Sequence, residues 1–355
     1  VSHEQSPEER HKHININNLL TDDIMKQWIE DILHSDTRWA MPVMTHPGIE
    51  MQGKTVKQAV SDGKVHYEAI RLLAGRYKMA ACPAIMDLTV EAEAFGAEAN
   101  IPDDEIPTIV GRLVSTMDEV EALQIPDLSA GRIPAYIEAG RLAAANLSGH
   151  VFLGSCIGPF SLAGRLYDMS EIMMAIYIDP DTVMLLLDKC TEFILSYCRA
   201  QKEAGAAGVV MAEPAAGLLS GEDCMMYSTP YVKRIVDALQ DDTFTVVLHN
   251  CGNTGHCTQA MLETGARALH FGNKIDMAEV LKEIPSDIIA MGNLDPVCVF
   301  NQGTAADVRQ ATLELLEKTH GYKNFVISSG CDIPPHTPIE NIDAFFEAVD
   351  EYNRK

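Results

Sequence analysis

Thr243-Phe244-Thr245-Val246-Val247-Leu248-His249-Asn250-Cys251-Gly252-Asn253 is an apolar, β-branched run that ends in an imidazole, a thiol and turn-forming residues. The run reads as a strand and its polar end as the loop that follows. Phe325-Val326-Ile327, followed by Ser328-Ser329-Gly330-Cys331-Asp332, repeats the pattern. Working outward, short apolar runs at Ala40–Met44, Met79–Ile85, Val151–Cys156, Ala207–Ala212, Arg267–Phe271 and Ile288–Met291 complete a set of eight strand candidates, with Thr243–His249 and Asn324–Ser328. Amphipathic stretches separate them. The clearest opens at Asp179-Pro180, carries Val183, Leu186, Leu187, Cys190, Phe193, Ile194 and Tyr197 on one face, and ends at Gly205. Others run from Thr304 to Gly321 and from Pro338 to Tyr352. Before the first strand, Thr21 is placed to cap a helix with Ile24, Met25, Trp28, Ile29, Ile32 and Leu33 on one face.

Strands alternating with helices, about eight of each, predict an α/β protein: a (β/α)8 TIM barrel over residues 39–355, preceded by an N-terminal helical extension over residues 1–38. An open doubly wound sheet is the alternative that periodicity leaves standing. In a barrel, chemistry collects at the carboxyl ends of the strands. His46, Asp87, Glu213, His249, Cys251, Asn293, Asp295 and Cys331 all follow strand candidates. Polar residues at the same end of so many strands are hard to explain by packing alone.

The 355 residues carry 51 Asp and Glu against 27 Lys and Arg, a formal charge of -24. Such a surface repels nucleic-acid phosphates and excludes them as the expected partner. No apolar run approaches the roughly 20 residues needed to cross a bilayer. Val1 to Asn18 is polar and lacks the pattern of a secretory signal, and nine scattered cysteines do not form a disulfide framework. A cytoplasmic location is expected.

His249 and Cys251, one residue apart at a strand end, can converge on one ion, and Cys331 at another strand end supplies a third ligand. Zinc suits mixed nitrogen and sulfur ligands, and three protein ligands leave a position open for a reactant. The competing reading is unrelated residues, since free cysteines are often small buried hydrophobes. Cys190 and Cys198 fall in the long helix, and Cys82, Cys156, Cys224 and Cys298 lack a partner at ligand spacing. Cys257, beside His256, is the next candidate ligand. Glu213 reads as a fourth, displaceable ligand, a base, or a rim carboxylate. Asp87 is a candidate acid or a helix start, and Asn293-Leu294-Asp295-Pro296 is first a turn. Met225 and Met226 are candidates for an apolar mouth.

Five segments in order carry a further signal: Met86-Asp87-Leu88-Thr89-Val90-Glu91-Ala92-Glu93-Ala94-Phe95-Gly96, Gly158-Pro159-Phe160-Ser161-Leu162-Ala163, Leu248-His249-Asn250-Cys251-Gly252-Asn253, Gly292-Asn293-Leu294-Asp295-Pro296, and Gly330-Cys331-Asp332-Ile333-Pro334-Pro335 with Thr337-Pro338-Ile339-Glu340-Asn341. Together they resemble the uroporphyrinogen decarboxylase superfamily, and within it the corrinoid-dependent methyltransferases. The resemblance implies a barrel with zinc held by His249, Cys251 and Cys331, acting as a cobalamin-dependent methyltransferase. Its partners would be a corrinoid protein and a small-molecule methyl donor or acceptor such as a thiol or pterin. Glu213 and Asp87 would then move a proton, with Asn293, Asp295 and His46 orienting substrate. The arginine-rich segment by which the decarboxylases clamp a porphyrin should fall near Pro42 to Gly53, where this chain has no arginine. The alternative function is a metal-free decarboxylase of a small carboxylate with Asp87 as its acid. The direction of methyl transfer is left open, as is homodimerisation.

Overall fold

The computed structural model describes residues 26–355. Ten strands are found among them: β1 (Trp39–Ala40), β2 (Cys82–Pro83), β3 (Glu98–Asn100), β4 (Thr108–Val110), β5 (Phe152–Ile157), β6 (Gly208–Ala212), β7 (Thr245–Asn250), β8 (Ala268–Phe271), β9 (Ile289–Leu294) and β10 (Phe325–Ser329). Eight form one parallel sheet in the order β1-β10-β9-β8-β7-β6-β5-β2. Its two edges meet, since the Ala80 N–H donates to the Ala40 carbonyl at 2.8 Å. The sheet is thereby curled into the expected TIM barrel, with every candidate strand in place. β3 and β4 form a separate antiparallel hairpin. The hairpin is exposed and lacks the apolar alternation by which a strand is recognised, so the sequence did not announce it.

Residue alternation decides what faces the lumen. Side chains two apart in a strand share a face. Val210, Ala212, Val247, Ala268, Ile289, Met291 and Val326 pack together inside the barrel, while Val209, Met211, Val246, Leu248, Leu269, Phe271, Phe325 and Ile327 pack outward against the helices. Counting on by two places His249, His270 and Ser328 in the lumen at the carboxyl end.

The helices follow the signals read above. Pro180–Glu203 buries the anticipated face from Val183 to Tyr197. Ala305–Lys318 starts at a capping box in which Thr304 and Asp307 exchange hydrogen bonds, and Ile339–Asn353 closes the chain.

Helical residues 26–34 lie under the barrel, while Thr21, Ile24 and Met25 fall outside the described residues. Trp28 and Ile32 join the lumen residues near the amino ends of the strands, and the Trp28 indole N–H donates to the Ala80 carbonyl at 2.6 Å. That bond ties the lead-in helix to the residue that closes the sheet. None of the described helices is long and apolar enough to cross a membrane. Trp28→Ala empties this floor and should cost about 3–5 kcal/mol. A denaturant titration measures it, and a loss under about 1 kcal/mol would show that the floor is dispensable.

Candidate metal centre

The residues that end β7 are shaped by their own side chains. The Asn250 carboxamide oxygen accepts the N–H groups of Gly252 and Asn253, both at 3.0 Å, which turns the chain sharply after the strand. The Asn253 oxygen then accepts from Gly255 at 2.8 Å and Cys257 at 3.0 Å. Cys251 rides on this turn, and close approach of neighbouring loops holds it there. A Cβ on Gly272, just past β8, would lie 2.6 Å from the Cys251 Cα, and one on Gly217 would lie 2.4 Å from the Gly252 carbonyl carbon. Cys331 follows Gly330, where a Cβ would meet the Asn273 nitrogen at 2.5 Å. Glycine at these positions lets backbone pack on backbone.

The outcome is convergence. The ligand atoms of His249, Cys251 and Cys331 lie within 4.8 Å of one another, the single such cluster of potential metal ligands among the described residues. Ligands around a tetrahedral zinc stand roughly 3.5–3.8 Å apart, given bonds of about 2.0–2.3 Å, so little adjustment is needed. Nε2 of His249 is buried with no hydrogen-bond partner, a state expected of a nitrogen whose lone pair serves an ion. His249 is buried whereas both sulfurs are half-buried. The nitrogen therefore comes from the lumen and the sulfurs from the rim. A hydrogen bond from Cys331 brings the Cys251 thiol down to about 7, against a burial that opposes ionisation. The same bond, with burial, holds the proton on Cys331. The residues fit a zinc ion.

The other anticipated site residues lie elsewhere. Glu213 follows β6 and its N–H donates to the His249 carbonyl at 2.8 Å, yet its carboxyl is outside the ligand cluster. One carboxyl oxygen accepts the Ser161 N–H at 3.0 Å, and the other has no partner. Burial pushes its pKa up to about 8. Glu91, which sequence reading passed over, is alike: it accepts the Ile157 N–H at 2.9 Å and burial raises it to about 8.

Asp87 is enclosed and fully engaged. Arg132 forms an ion pair with it, and Thr89 and Tyr136 donate to it at 2.6 Å and 3.2 Å. Asn293 donates to the carbonyls of Gly272 and Ile275 at 2.9 Å and 2.7 Å, bracing the loop past β8. Asp295 caps the next helical turn through the N–H groups of Val297 and Cys298, both at 2.8 Å, and accepts from Asn273. His46 points its Nε2 at the Asp332 carboxylate, 3.3 Å away and next in sequence to Cys331. Burial opposes protonation of His46, but Asp332, with Glu50 and Asp87, outweighs it and raises the pKa. Cys257 adjoins Cys224 and the Ala216 carbonyl and takes no part in the cluster.

Two further groups escaped sequence reading. His270 is wholly buried against His249. Arg165, on the helix Pro159–Tyr167 that follows β5, is half-buried and has no hydrogen bond or ion pair among the described residues. Desolvation lowers its pKa, opposed by the charge of Asp87. Only the periodicity of β8 could have placed His270 in the lumen; Arg165 left no signal.

The family model "Uroporphyrinogen decarboxylase (URO-D)" matches residues 29–352. The chain belongs to this family. It is homologous to a methylcobamide:CoM methyltransferase of Methanosarcina acetivorans, 32% identical over 279 residues that cover 75% of this chain and 78% of the relative. A uroporphyrinogen decarboxylase of Erwinia tasmaniensis is 28% identical, with 79% of this chain and 80% of that one covered. A solved methyltransferase from Methanosarcina mazei superposes with a TM-score of 0.83 at 23% identity, covering 92% of this chain and 98% of that one, which shows the shared fold.

The raised acids give the stability a pH dependence. The native state keeps protons on Glu91 and Glu213 up to about pH 8, whereas the unfolded chain releases them near 4.5. Their contribution is complete below 4.5 and is lost as pH rises through 8. His66, driven down to about 3 by burial, acts in the opposite sense and only below its ordinary 6.5. Between pH 6.5 and 8 the thermal midpoint of Glu91→Gln should therefore fall less than that of the wild type. Parallel curves for the two proteins would show that Glu91 is ionised in the native state.

Proposed function

We propose that this family member is a zinc-dependent methyltransferase that moves a methyl group between a corrinoid carried by a partner protein and a small thiol. The observation that carries the reading is the His249–Cys251–Cys331 cluster, a one-nitrogen, two-sulfur donor set at the carboxyl ends of β7 and β10 with both sulfurs half-buried. The homologous relatives named as methylcobamide:CoM methyltransferases support the reaction class. Zinc bound there would supply Lewis acidity that lowers the pKa of a thiol and polarises its sulfur.

The chain's own groups supply the setting. His249, Cys251 and Cys331 fix the place of the reacting sulfur at the rim, and the packed lumen beneath them keeps water out. Arg165, a cation near Asp87 without a partner among the described residues, suits the anionic end of an acceptor. Outside the mouth, Met174, Tyr177, Ile178, Leu218, Met225 and Met226 are exposed, and the Tyr177 hydroxyl donates to Asp223 at 2.6 Å, joining two helices of that rim. This apolar surface suits docking of the corrinoid protein. In the transfer, the acceptor sulfur gains the methyl carbon and loses its proton, while the corrinoid keeps the electron pair of the cobalt–carbon bond.

A metal-free decarboxylase of a small carboxylate is disfavoured because Asp87, its required acid, is held by Arg132. A porphyrin decarboxylase is disfavoured because no arginine occurs between residues 42 and 53 to grip a polyanion.

The test is to incubate zinc-loaded protein with methylcobalamin and pairs of anionic and neutral thiols of equal length, following demethylation by absorbance. Turnover is expected, faster with the anionic partner of each pair, and Cys251→Ala should abolish it together with zinc binding. No turnover with any thiol, or full activity of the zinc-free variant, would overturn the proposal.

A further inference from the structure

A line of buried polar groups crosses the lumen beneath the metal ligands. Nδ1 of His249 is 2.8 Å from Nδ1 of His270, Nε2 of His270 is 2.8 Å from the Ser328 hydroxyl, and that hydroxyl donates to the Met41 carbonyl at 2.6 Å. The two rings meet edge to face, with centroids 4.6 Å apart. The four residues come from β7, β8, β10 and the segment after β1, so the line runs from one side of the barrel to the other. His270 and Ser328 are fully buried, and Met41 is too.

The direction of every bond follows from counting protons. A carbonyl only accepts, so the single Ser328 proton goes to Met41. The Ser328 oxygen must then accept from His270, which places a proton on Nε2 of His270. A second proton would make His270 a cation with no carboxylate partner in a closed apolar lumen, which its burial opposes. Nδ1 of His270 is therefore bare and accepts from Nδ1–H of His249. With its one proton there, His249 has a free lone pair on Nε2, the buried atom that lacks a partner.

We infer that His270 and Ser328 are positioning residues that commit His249 to the Nδ1–H tautomer, presenting Nε2 ready-made to the zinc while the Met41 carbonyl sets the polarity of the line. The inference rests on the metal-centre reading but concerns residues that touch neither ion nor reactant. Metal-bound histidines commonly donate their second N–H to a carboxylate or a carbonyl. Here a neutral imidazole stands in that place. It orients the ring while adding no negative charge, so the anionic charge of the ligand set comes from its two sulfurs. The carbonyl that anchors the far end adjoins the Ala40–Ala80 seam, so the line also couples ligand orientation to barrel closure.

Two measurements test this. Nitrogen-15 NMR of histidine-labelled, metal-free wild type reads the tautomer of His249 directly; the proton is expected on Nδ1, and a proton on Nε2 would overturn the relay. In Ser328→Ala, His270 loses its acceptor and is free to put its proton on Nδ1, which drives the His249 proton to Nε2. Zinc affinity, measured by chelator competition, should fall about tenfold or more, with the wild-type circular dichroism spectrum retained. A folded Ser328→Ala that binds zinc as tightly as the wild type would refute the relay. Wild type that takes up no zinc would instead sink the metal reading, and its metal-free spectrum would still decide the tautomer.

Discussion

Closing eight parallel strands into a ring imposes two conditions at once. Every second residue must occupy the lumen, and every strand must deliver its carboxyl end to the same rim. The closing contact between Ala40 and Ala80, buttressed by the Trp28 indole, is small, but without it β7 and β10 would not face one another across a common space. His249 and Cys331 are distant along the chain and separated in the sheet by β8 and β9. They meet because the sheet is curved.

The lumen is filled mainly with Val, Ile, Ala and Met, so each polar group inside it needs a named partner. The line from His249 to Met41 satisfies this end to end, leaving a single vacant nitrogen at the place where two sulfurs arrive. Outside the lumen the buried charges are treated differently. Asp87 is neutralised by Arg132, whereas Glu91 and Glu213 avoid charge by keeping their protons. The buried acids beside the mouth are thus held neutral or paired, which leaves Arg165 as the cation without a partner there among the described residues.

The eight strands were legible because buried parallel strands leave short apolar runs, and the residues of the candidate metal cluster because an imidazole and a thiol one residue apart at a strand end can face one point. The hairpin β3–β4 was not legible, since exposed strands need no apolar alternation. Asp87 and Glu213 were singled out correctly as strand-end carboxylates, but a residue's position at a strand end does not reveal where its side chain finds a partner. Arg132, which claims Asp87, lies 45 positions along the chain. His270 reads as an ordinary strand residue until its register with His249 is known. Arg165 is conspicuous only through what fails to contact it. In each case the missing information was tertiary.

The most direct measurement of the central claim is X-ray absorption at the zinc edge on the purified protein, with metal content determined alongside. The account predicts one zinc per chain, two sulfurs at about 2.3 Å with one imidazole nitrogen and a light atom, and a third sulfur in place of that atom once the acceptor thiol is added. A chain without stoichiometric zinc, or a zinc shell that holds no sulfur, would contradict it.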